Sequence, residues 1–189
     1  MELYWYCIKN MEPQTYQQAL GMLDNVRRKH INDLPQEEER RRAVAAEWLV
    51  RSVLAEKLHC SPEEVPLRYD EDDKPYLEKG TLYVSLDYSG QYAVCAIHDK
   101  PVGVAVEVIR GAEEKFMRRV CSEQEFSYVR PYEEGGFVRF WECWTAKEAL
   151  FRLTGKGPLV QWSRFSLAEN QALDFVLKND CALTVAMEL

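Results

Sequence analysis

Glu148 sits in the middle of an aromatic stripe. Read at helical spacing, Phe137, Trp141, Trp144, Glu148 and Phe151 fall at i, i+4, i+7, i+11 and i+14, on one face of a single helix. A carboxylate taken out of water must be protonated, paired with a cation or bound to a metal. Arg152, one turn on, offers the local pair. From this helix alone, the local pair and the metal site stand even. A second carboxylate, Glu107, lies in the β-branched run Val102-Gly103-Val104-Ala105-Val106-Glu107-Val108-Ile109. In a strand the valines point one way and Gly103, Ala105 and Glu107 the other, so Glu107 emerges beside two small residues where a ligand can approach closely. The plainer reading is a solvated strand end.

The elements that must position these groups follow from pattern and punctuation. Leu3 to Ile8 reads as a short buried aromatic strand, and Pro13 to Arg28 as a helix ended by Asn32-Asp33-Leu34-Pro35. Gln36 to Leu58 reads as a long helix opening on Glu37-Glu38-Glu39 at its positive end. Its arginines, Arg40, Arg41, Arg42 and Arg51, exceed what solubility needs, although each taken singly reads as solvated surface. Ser61-Pro62-Glu63-Glu64 and Ser122-Glu123-Gln124-Glu125 are capping boxes. Leu82 to Asp87 alternates like a strand, Tyr88-Ser89-Gly90 breaks it, and Tyr92 to Ile97 returns as a hairpin. Gly135-Gly136 precedes the Glu148 helix, and Gly155-Lys156-Gly157-Pro158 ends it. Beyond it, Phe165-Ser166-Leu167, Leu173 to Leu177 and Ala182 to Met187 read as strands. Each half holds strands and one long helix, which suggests a duplicated α+β unit, residues 1–100 and 101–189.

Composition narrows the function classes. The 189 residues, 47% hydrophobic and 12% aromatic, can bury a substantial core. A net charge of -7 argues against general binding to nucleic acid or an anionic membrane. No apolar run approaches the roughly 18 residues of a membrane span, and Met1-Glu2-Leu3-Tyr4 begins nothing like a secretory signal, so a cytoplasmic monomer is expected. Six scattered cysteines without a C-x-x-C pair point to reduced, mostly buried thiols.

Taken together, these pieces resemble the phosphopantetheinyl transferases of the larger, surfactin-synthetase-activating type. Trp144-Thr145-Ala146-Lys147-Glu148-Ala149 with Gly155-Lys156-Gly157 looks like the family's W-x-x-K-E-A motif and its trailing G-K-G. Val102 to Glu107 looks like its G-[IV]-D-[IV]-E strand. Asp73-Lys74-Pro75-Tyr76 resembles the G-K-P turn, and Leu86-Asp87-Tyr88-Ser89-Gly90 stands where the family has I-S-H-S-G.

The resemblance implies a pseudo-twofold α+β fold with coenzyme A in the cleft between the halves. It implies transfer of the phosphopantetheine arm to a serine of an acyl or peptidyl carrier protein, with Mg2+ as cofactor. Glu148 and Lys147 would be catalytic, and Glu107 and Glu148 would hold the metal. Arg42, Lys74, Pro75, Tyr88 and Arg152 would bind coenzyme A, with Lys29 a further candidate for its 3'-phosphate. The stretch Phe116-Met117-Arg118-Arg119-Val120 would meet an acidic carrier helix.

Three positions depart from the pattern. Ala105 replaces the strand aspartate, Tyr88 the histidine and Asp87 the serine before it. They leave open a non-catalytic protein of the same fold that binds coenzyme A or a carrier protein. An acyl-CoA-using acetyltransferase would need a glycine-rich pyrophosphate loop at a helix start, and none is found.

Overall fold

The computed structural model describes residues 1–154, 159–164, 167, 173–178 and 180–188. It is a mixed α+β fold that divides into two compact units, Met1–Ile97 and His98–Leu189.

In the first unit, β5 (Tyr92–His98) lies between β1 (Glu2–Cys7) and β4 (Tyr83–Ser89), with Tyr4 opposite Cys95 in the antiparallel β1–β5 register. The expected single helix from Pro13 is two helices, α1 (Pro13–Met22) and α2 (Asn25–Asp33). The reason is local: the Asp24 side chain accepts from the backbone N–H of Arg27 at 2.8 Å and starts a new helix. Helix α3 (Glu37–Leu58) carries the core, burying Val44, Ala45, Ala46, Val50 and Leu54. The short hairpin β2 (Leu67–Tyr69) and β3 (Pro75–Leu77) pairs Tyr69 with Pro75. Two local expectations change. Strand β4 runs through Tyr88 to Ser89 and turns only at Gly90, whose φ of 56° suits glycine. Strand β1 is half-buried along most of its length rather than buried.

In the second unit, β8 (Cys181–Met187) lies between β6 (Val102–Val108) and β7 (Leu173–Lys178), antiparallel to both. Helices α4 (Glu114–Val120) and α5 (Glu123–Val129) precede α6 (Gly136–Thr154), which packs across β6 and β8. Both capping boxes form: Ser122 and Glu125 open α5, while Ser61 and Glu64 open only a 3-10 turn. At Gly103 the approach of α6 is so close that a Cβ would stand 2.0 Å from the carbonyl oxygen of Ala149. Ala105, fully buried, packs with Ala149, Leu150 and Ala186. The room beside Glu107 is therefore taken by α6; smallness at 103 and 105 serves helix packing and does not open a ligand path. Thr145 and Thr184 share a buried hydrogen bond of 2.9 Å, tying α6 to the central strand.

All six cysteines are free, with Cys95, Cys121, Cys143 and Cys181 buried. Among the described residues no helix is long and apolar enough to cross a membrane.

Candidate active site

Helix α6 presents the motif residues on different sides. Trp144 and Glu148 are half-buried, and the indole Nε1 donates to Glu148 Oε2 at 2.8 Å. That bond satisfies one oxygen of the carboxylate and fixes its direction. Arg152 lies one turn further along the helix, also half-buried. Phe137, at the start of the stripe, is exposed, whereas Trp141 is buried.

Lys147 points the other way. It is 2% exposed, and its ammonium meets Val120 O at 2.7 Å, Trp162 O at 2.6 Å and Glu125 Oε2 at 2.6 Å. Three oxygens match the three donors of a lysine ammonium, so none is left to meet a substrate. Glu125 also accepts from the backbone N–H of Ser122 at 2.7 Å and of Leu167 at 3.0 Å. The expectation of a catalytic Lys147 meets a side chain fully occupied in joining α4, α5 and the turn Leu159–Arg164 to α6.

Glu107, at the end of β6, is 18% exposed and pairs with Arg110 Nη1. Arg110 was not anticipated. Its guanidinium lies 4.7 Å over the Trp141 ring, and its carbonyl accepts from Trp141 Nε1 at 2.7 Å. The available signal was an arginine three residues beyond a strand carboxylate.

The first unit holds the groups expected to meet the nucleotide. Arg42 Nε donates to Gly90 O at 2.8 Å and Nη2 to Glu38 at 3.0 Å, which brings Arg42 to the β4–β5 turn two residues after Tyr88. Burial, then the charge of Asp87, raises the Tyr88 phenol above its ordinary pKa, so it remains a neutral donor. Lys74 and Pro75 lie where the hairpin turn enters β3. The turn is shaped by Asp70, whose Oδ1 accepts from the backbone N–H of Asp72 and Lys74, and by Asp73 at a φ of 60°. Beside it lies a cavity of about 340 Å³ lined by Arg27, His30, Arg68, Tyr69 and Asp73, among others. Lys29 is exposed on α2. Gly155, Lys156 and Gly157 lie outside the described residues.

A buried charge network in this unit was missed. Arg27, 8% exposed, donates to Glu47 at 2.6 Å, pairs with Asp73 and covers the Tyr69 ring at 3.8 Å. Glu47 has Arg51 on its other side at 3.6 Å. Arg51 is thus buried against a carboxylate, not solvated surface. The spacing Glu47 to Arg51 inside an apolar helix was the signal.

The donor set is compatible with magnesium. Mg2+ is held by one or two carboxylates, with water and substrate phosphates completing the octahedron. Glu107 and Glu148 supply two carboxylates from packed elements, β6 and α6. At position 105 the fold supplies a buried methyl, and among the described residues no three His, Cys, Asp or Glu side chains cluster at metal-binding range.

Residues 101–185 match the family model of the 4'-phosphopantetheinyl transferase superfamily. The chain resembles that superfamily over this segment, a little under half of its length. It is 27% identical over 140 residues to 4'-phosphopantetheinyl transferase gsp of Aneurinibacillus migulanus, covering 74% of this chain and 59% of that protein. It is 32% identical over 130 residues to 4'-phosphopantetheinyl transferase HetI of Nostoc sp., covering 64% and 54%. To 4'-phosphopantetheinyl transferase Sfp of Bacillus subtilis it is 20% identical over 174 residues, covering 90% and 78%. The match to the first two relatives thus spans little more than half their length. Glu107, Lys147, Glu148 and Arg152 fall inside the segment that matches the superfamily, whereas Arg42, Lys74, Pro75 and Tyr88 precede it.

Proposed function

We propose that the protein is a 4'-phosphopantetheinyl transferase, moving phosphopantetheine from coenzyme A to a serine of an acyl or peptidyl carrier protein with magnesium. The observation that carries this reading is the placement of Glu107 and Glu148 on β6 and α6, which pack together within the segment shared with the superfamily. Both carboxylates would hold the metal, which when bound neutralises charge on the diphosphate. Glu148, oriented by the Trp144 indole, takes the proton of the attacking serine. The serine oxygen bonds to the phosphorus that carries pantetheine. The bond from that phosphorus to the bridging oxygen breaks, and adenosine 3',5'-bisphosphate leaves with the oxygen. Arg152 accompanies the charge that develops on the departing 5'-phosphate, a task its fork of donors suits.

In the first unit, Arg42 would take the 3'-phosphate, Tyr88 would donate a neutral hydrogen bond to phosphate, and Lys74 and Pro75 would border the adenine. Lys147 is assigned a positioning role: it anchors the helix turn that carries Glu148.

One observation favours a second reading, a coenzyme A or carrier-binding protein without transfer activity: the buried, helix-packed Ala105 where the family pattern has an aspartate. Chromatographic assay for adenosine 3',5'-bisphosphate separates the two. Release that requires both apo carrier protein and magnesium supports transfer. Its absence across several carriers, with coenzyme A still bound, supports the second reading.

A further inference from the structure

We propose that Arg110 is a diphosphate-binding residue, held ready for coenzyme A by Trp141 and Glu107; this rests on the function proposed above. The side chain is 57% exposed, yet two contacts hold the guanidinium and a third holds the residue's main chain. Trp141 is buried and grips the residue twice, through its indole N–H on the Arg110 carbonyl at 2.7 Å and through its ring, 4.7 Å beneath the guanidinium. Glu107 takes the third contact, at Nη1. Among the described residues the guanidinium makes one other bond, to Val108 O at 3.5 Å, from the same Nη1. Among the described residues the N–H groups of Nε and Nη2 donate to nothing, so one edge of a stacked, immobilised guanidinium faces solvent with its parallel donors unspent.

That edge is the geometry a phosphate or carboxylate meets with two hydrogen bonds. An arginine already fixed by stacking loses less freedom on binding than a mobile surface lysine. Its position selects the ligand. Trp141 meets Trp144 edge to face at 6.0 Å, and Trp144 bonds Glu148, so Arg110 and Glu148 terminate one row of side chains. On the opposite side Arg110 touches Glu107. A cation paired with Glu107 and joined to Glu148 through two packed indoles is suited to an anion that must lie beside the first of these carboxylates, and the coenzyme A diphosphate is that anion in the proposed reaction. Arg110 then gives the protein a hold on the diphosphate that needs no metal, which bears directly on a site with alanine at 105.

Calorimetric titration of coenzyme A in chelating buffer tests this without reference to turnover. Arg110→Gln keeps a planar group over Trp141 and removes the charge; Arg110→Lys keeps the charge and removes the fork. Circular dichroism melts confirm that each variant is folded. Arg110→Gln is expected to weaken coenzyme A about tenfold or more, as loss of a charge-assisted pair implies, with Arg110→Lys intermediate. Pantetheine, which lacks the diphosphate, should bind wild type and variants alike. Unchanged coenzyme A affinity in Arg110→Gln, with wild type binding, overturns the role of Arg110 and leaves the transferase reading standing. So does a loss confined to carrier-protein affinity, which would give Arg110 to the protein partner. Failure of wild type to bind coenzyme A with or without magnesium overturns the transferase reading and this proposal together.

Discussion

The indole N–H of Trp144 lies 2.8 Å from Glu148 Oε2, one helical turn away on the same face of α6. A ring that is itself packed against Trp162 and Phe116 thereby sets the direction of the carboxylate proposed to act on the serine. Trp144→Phe keeps the packing and removes the donor. The expected result is a loss of roughly 10–100-fold in magnesium affinity or transfer rate, the usual cost of removing a group that orients a ligand. Glu148→Gln should abolish magnesium-dependent transfer while melting like wild type. Initial rates across a magnesium titration, beside thermal melts, measure both.

Lys147 gives the opposite expectation. Lys147→Met strands the carboxylate of Glu125, 8% exposed, without its cation. Breaking one side of a buried pair costs about 3–5 kcal/mol, and urea denaturation should show a loss of that size, with activity falling in step with the folded fraction. A variant as stable as wild type but devoid of transfer would return Lys147 to catalysis.

Two glycine substitutions separate close approach from open space. Gly103→Ala drives a methyl into the Ala149 carbonyl, backbone that cannot step aside, and should destabilise by about 3 kcal/mol or more. Gly21→Ala, inside α1 with nothing within 4 Å, should stabilise by about 0.5–1 kcal/mol. Chemical denaturation of the pair checks the packing of α6 on β6.

Tyr128 supplies a pH signature. Its phenol donates to Glu142 at 2.8 Å, and that bond, with a smaller effect of burial, pushes its pKa up to about 12 from 10.0. Because the folded value is the higher, the contribution of this contact to stability is complete below pH 10 and disappears as pH rises toward 12. Ultraviolet titration of wild type against Tyr128→Phe should reveal one late-ionising phenol, and Glu142→Gln should bring it back toward the ordinary range.

The Glu148 stripe, the long helix from Glu37 and the capping boxes at Ser61 and Ser122 were legible because each depends on residues within a turn or two. Lys147 was not, since the oxygens that bury it come from Val120, Glu125 and Trp162, and no local pattern announces them. The Arg27 network failed for the same reason: Arg27 reaches Asp73 across 46 residues. Gly103 and Ala105 were seen as small, but smallness has two uses, ligand approach and helix approach, and only the position of α6 decides between them. The broken helix at Asp24 shows a local signal overlooked, an aspartate whose capping bond outweighs the continuity of its neighbours.

The central claim is covalent transfer to a carrier serine. Intact-mass measurement of an apo carrier protein, incubated with coenzyme A, magnesium and this protein, tests it most directly. The account predicts a mass gain of one phosphopantetheine per carrier, lost when the acceptor serine is replaced by alanine and lost with Glu148→Gln. An unchanged carrier mass across several acyl and peptidyl carriers, in samples where coenzyme A binding is measured, would contradict it.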